Sequence, residues 1–110
     1  MSDSSHAARS ITFQAISELR SEGYHTARVA GRSRLFDLIA WKGVEILFVV
    51  VRRTRSESIT GYSDVVQDLS GCVQEKSVPG TVQFWLYRSN SWFRYLILPG
   101  GALPVKGRTA

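Results

Sequence analysis

The chain has 110 residues and a formal net charge of +5, with 44% hydrophobic and 21% charged residues. This length suits one domain around one core, and the lack of any run of about 18 apolar residues excludes a membrane-spanning helix. A single cysteine, Cys72, excludes an internal disulfide and fits a reducing cytoplasm; Cys72, His6 and His25 are too scattered for a zinc site.

Residues 1–9 are small and polar, predict a flexible N-terminal tail and lack a secretory-signal pattern. From Ala7 to Glu22 the period is helical, with Ala8, Ile11, Ala15, Ile16 and Leu19 on one face. Phe13 lies off that stripe, either exposed or against a second surface, and Gly23 is placed to stop the helix. Strands are expected over Tyr24–Ala30, Leu35–Trp41 and Val44–Arg52, broken by the polar Gly31–Arg34 turn and by Lys42-Gly43. The third strand is apolar on both parities, which requires cover on both faces and a central place in its sheet.

After the charged stretch Arg53–Ser58, a second helix begins between Ile59 and Tyr62 and ends at Glu75. Its buried stripe is Val65, Val66, Leu69, Cys72 and Val73. Strands Thr81–Arg88 and Trp92–Leu98 form a hairpin through Ser89-Asn90-Ser91, and residues 99–110 read as a C-terminal tail. The domain therefore spans 10–98 in the order α-β-β-β-α-β-β, an α/β sandwich on a mixed sheet.

Asp37 is the acid that stands out, set in the apolar run Leu35-Phe36-Asp37-Leu38-Ile39-Ala40. A carboxylate there costs several kcal/mol unless it meets a cation, a metal or several donors. If the second and third strands pair around Lys42-Gly43, Asp37 faces Phe48–Val50 and reaches Arg52, so a plain salt bridge accounts for it. Glu45 has the wrong parity and lies at the far end of that strand. Asp64 and Asp68, at i and i+4 on the second helix, read as a solvated acidic face.

The order Gly23-Tyr24, Arg28, Phe36-Asp37-Leu38-Ile39-Ala40 and Val49-Val50-Val51-Arg52 resembles the core of archaeal Holliday-junction resolvases of the PD-(D/E)XK nuclease superfamily, over residues 10–55. The resemblance implies a restriction-endonuclease-like fold, a DNA partner and a homodimer. It also implies that Asp37 is the metal-binding Asp, that Val50 replaces the second carboxylate, and that Arg52 replaces the catalytic Lys. The family's helix Glu falls near Thr12 or Gln14.

Valine offers no ligand, one carboxylate holds magnesium poorly, and arginine clamps phosphate without relaying protons. The expected function is a catalytically impaired nuclease-fold domain binding nucleic acid backbone. An active magnesium-dependent endonuclease is the alternative, using Asp37 and a displaced helix acid, Asp64 or Asp68, as the resemblance allows; a protein-interaction scaffold is a third. Positive charge carried mostly by arginine favours a polyanionic partner, although solubility alone also accounts for it. In the resembled fold Arg28, Arg32, Arg34, Arg52, Arg53 and Arg55 border the phosphate-binding cleft. Trp85, Tyr87, Trp92, Phe93 and Tyr95 in the last hairpin are either a core or self-association layer, or a surface for stacking bases.

Overall fold

A computed structural model of the chain describes residues 2–30, 35–55 and 59–105, with side chains from Ser10 onward. The elements are α1 (Ser2–Ser21), β1 (His25–Arg28), β2 (Leu38–Lys42), β3 (Glu45–Arg53), a 3-10 turn (Ile59–Tyr62), α2 (Ser63–Gln74), β4 (Thr81–Arg88), β5 (Ser91–Leu98) and β6 (Gly101–Pro104). The six strands lie in sequence order in one sheet. Every neighbouring pair is antiparallel except β3 and β4, which run parallel. A parallel pair needs a crossover, and α2 supplies it.

The two-sided apolar run of β3 is satisfied as expected. Leu47, Val49 and Val51 enter the layer under α1 with Ile11, Ala15, Ile16, Leu19 and Trp85. Val50 and Phe48 enter the opposite layer with Leu69, Val82, Phe84 and Ile97. The two helices are offset: α1 packs on β1, β2 and β3, while α2 packs on β4, β5 and β6.

Local chemistry sets the joints. Helix α1 ends where the Gly23 N–H bonds Arg20 O and the Tyr24 N–H bonds Leu19 O, both at 3.0 Å. This double closure needs a left-handed residue, and Gly23 provides it at φ +96°. The β4–β5 hairpin is tighter than expected. Arg88 pairs with Ser91, leaving Ser89 and Asn90 at φ +53° and +62°, the signs a type I′ turn requires.

Two boundaries read from the sequence are corrected. The backbone is helical from Ser2, so residues 1–9 are not a loose tail throughout; helical turns without an apolar stripe leave no period to read. Residues 99–110 are not simply a tail either. Pro99-Gly100 is a turn, Leu98 pairs with Gly101, and Tyr95 pairs with Pro104, so β6 extends the sheet. Pro104 is tolerated because β6 is an edge strand.

Arg94 on β5 is 8% exposed and ties the sheet to the C-terminal turns of α1. Its Nη1 and Nη2 donate to Glu22 at 3.2 and 2.6 Å, and Nη2 also reaches Glu18 at 3.4 Å. The guanidinium lies 4.0 Å from the Trp85 ring centre. Removing one member of a buried ion pair leaves the other uncompensated. Arg94→Ala is therefore expected to lower stability by about 3–5 kcal/mol in urea unfolding.

Close by, Tyr24 has its hydroxyl pKa raised above 10.0, first by burial and then by its hydrogen bond to Glu45 and the charges of Glu45 and Glu22. Because the folded value lies above the unfolded one, this contribution to stability is complete below pH 10.0. It is lost as pH rises through the folded value. Tyr24→Phe should flatten that alkaline loss in stability-versus-pH curves.

Candidate functional site

Asp37 stands where β2 leaves β3. Its N–H bonds Val49 O at 2.9 Å, its C=O accepts from Val29 N at 3.0 Å, and the next residue, Leu38, pairs with Val49. The backbone ladder stops there, and the side chain takes over. Asp37 Oδ2 accepts the Val51 N–H at 2.8 Å and Arg52 Nη1 at 2.9 Å. Arg52 Nη1 also donates to Val51 O at 2.7 Å, so one guanidinium nitrogen bridges the carboxylate and the strand end. Asp37 is 8% exposed, whereas the Arg52 side chain is 43% exposed. The pair is a buried acid neutralised by a half-solvated cation. The salt bridge read from strand pairing is present.

The donor set does not fit magnesium. A hard divalent cation needs several oxygen ligands. Here one carboxylate oxygen is shared by an amide and a guanidinium, and the guanidinium already supplies the positive charge that a metal would bring. Val50, 1% exposed, is packed in the α2 layer with Leu69 and Phe84. Among the described residues no three of His, Cys, Asp and Glu come together as a metal-binding group. Asp64 and Asp68 lie exposed on α2, and Glu45 lies exposed at the opposite end of β3. On α1, Thr12 is buried and Gln14 is exposed.

The arginines are divided between the two faces of the sheet. Arg52 shares the Val50 face by alternation. Arg53 points to the other face, where its guanidinium lies 5.4 Å from the ring centre of Tyr87, its partner on β4. Arg28 shares the α1 face and lies 5.0 Å from the ring centre of Phe13. This second surface meets Phe13, which is half exposed. Arg55 is exposed just beyond β3, while Arg32 and Arg34 lie outside the described residues. Arg52, Arg53 and Arg55 thus leave one strand end, and Arg28 lies on β1, two strands away.

The hairpin aromatics form mostly core. Trp85 is fully buried, Tyr87 and Trp92 pack against the α1 layer, and Tyr95 packs against the α2 layer. Phe93 is 37% exposed with Arg88 4.4 Å from its ring centre. Sequence reading missed the Arg94 tie. Its signal was a lone arginine in Trp92-Phe93-Arg94-Tyr95-Leu96, a strand otherwise free of charge there.

No protein-family model matches this chain, and no curated protein does. Among solved structures, the fold is similar to that of Hjc, a Holliday junction resolvase from the archaeal hyperthermophile Archaeoglobus fulgidus. The TM-score is 0.57 at 21% identity, over 83% of this chain and 73% of that one. The architecture is therefore that of the restriction-endonuclease-like resolvases.

Asp37 holds the strand end together whatever else it does. Asp37→Ala leaves the Val51 N–H and Arg52 without that acceptor and is expected to destabilise by about 1–3 kcal/mol in urea unfolding. Asp37→Asn retains an oxygen acceptor and should destabilise less.

Proposed function

We propose that this chain is a nuclease-fold domain that has exchanged its catalytic metal centre for an ion pair and binds the backbone of nucleic acid, most simply DNA, as a homodimer. The observation that carries the reading is Asp37 Oδ2 bonded to Arg52 Nη1 and the Val51 N–H beside a buried Val50. Phosphodiester hydrolysis by a metal route needs an ion to generate the nucleophile and neutralise developing charge. One engaged carboxylate supplies neither function. Arginine at position 52 keeps a cation at the strand end yet stays protonated, so it clamps phosphate without transferring protons. Arg53 and Arg55 emerge beside it. The net charge of +5 favours the same partner.

The fold likeness supports the scaffold, and the arginines support the ligand class. Neither depends on base sequence, because a backbone clamp reads charge rather than base edges.

The test is binding and cleavage measured together on four-way-junction and linear DNA, with magnesium or manganese. Expected are salt-sensitive binding and intact DNA. Arg53→Ala with Arg55→Ala should reduce the slope of log affinity against log salt by about 0.9 for each phosphate no longer neutralised. Metal-dependent cleavage that disappears in Asp37→Ala would overturn the reading and favour an active endonuclease. Absence of binding to any nucleic acid at low salt would favour a protein-interaction scaffold. Light scattering on the free protein tests the dimer.

A further inference from the structure

Between α1 and the β4–β5 hairpin runs a groove of about 380 Å³, within the roughly 300–1,000 Å³ of small-ligand clefts. One wall is aromatic: the Tyr87 and Trp92 rings meet at 4.9 Å and 58°, and both are held by packing against the α1 layer. The rim is polar, with Gln14 and Ser17 from α1 and Asn90 from the hairpin turn. Asn90 Oδ1 accepts from the Tyr87 hydroxyl at 3.2 Å, which leaves its amide N–H groups for another acceptor. Arg53 lies over the Tyr87 ring.

One end of the groove lies at the carboxyl end of β4, where Tyr87 pairs with Arg53, the last residue of β3. Ligands of open α/β sheets gather at the carboxyl ends of parallel strands. Arg52 leaves the same strand end on the opposite face. A strand crossing this end of the sheet would meet Arg52, Arg53 and Arg55 along its backbone and the groove at its side.

We propose that this groove holds one unpaired nucleobase of the bound nucleic acid. The inference rests on the nucleic-acid reading above and adds a site to it. A rigid aromatic wall with amides and hydroxyls at the rim suits a planar group with a π face and a polar edge. A bare phosphate does not suit it, because the partly exposed Glu18 carboxylate lines the same groove. The base must be unpaired, since stacked neighbours cover both faces of a base within a duplex.

The experiment compares, by fluorescence anisotropy, a duplex carrying a one-base bulge with the same duplex carrying an abasic bulge. The base-bearing bulge is expected to bind about 5- to 150-fold more tightly, the range of one base–aromatic stack. Ser17→Phe fills the groove from an exposed helix position and should remove this preference without weakening abasic-duplex binding. Trp92→Leu should do the same; because it also touches the core, Ser17→Phe decides. Equal affinity for the two duplexes, still sensitive to salt, overturns the base site and leaves the backbone reading standing. A preference that survives Ser17→Phe overturns the location. Failure to bind either duplex at low salt overturns both readings.

Discussion

Strand β3 is the constraint on which the rest of the molecule depends. Its side chains alternate between two separate apolar layers, so it demands a helix on each face and a strand on each side. Antiparallel β2 follows from the tight connection at Gly43-Val44, and parallel β4 follows from the crossover through α2. With the helices offset, α1 over β1 to β3 and α2 over β4 to β6, α1 covers one face of β3, the apolar layer around Leu69 and Phe84 covers the other, and room is left beside α1. The groove along the β4–β5 hairpin is a product of that offset.

At the carboxyl end of β3 the same strand changes character from apolar to cationic, and the chemistry changes with it. A buried carboxylate demands a counter-charge. A divalent metal and a guanidinium are two answers to that demand. In this chain Arg52 Nη1 stands 2.9 Å from Asp37 Oδ2, and Val50 is packed in the core. The acid keeps a structural role that its chemistry allows: it ends the β2–β3 ladder by accepting the Val51 N–H.

Charge is placed differently at Arg94, which is buried. Arg94 is held by two α1 carboxylates and pressed on Trp85, so it fixes helix to sheet and is withdrawn from solvent. Arg53 rests on an aromatic ring while remaining exposed. One residue type thus serves as an internal tie in one place and as a surface cation in another, and net charge cannot distinguish them.

The sequence by itself determined the parts whose causes are local. The apolar stripe Ile11–Leu19 is a helix face, the two-parity run of β3 is a central strand, and Gly23 stops a helix. Asp37 and Arg52 were paired by counting back from one tight turn, because antiparallel register follows from turn length. Tertiary structure alone decided the rest. It showed that residues 101–104 join the sheet, since an edge strand is made by its neighbour and not by its own pattern. It withdrew Arg94 into an ion pair with residues more than seventy positions away. It also assembled Gln14, Ser17, Tyr87, Asn90 and Trp92 around one groove. Those residues come from distant segments, and only packing brings them together.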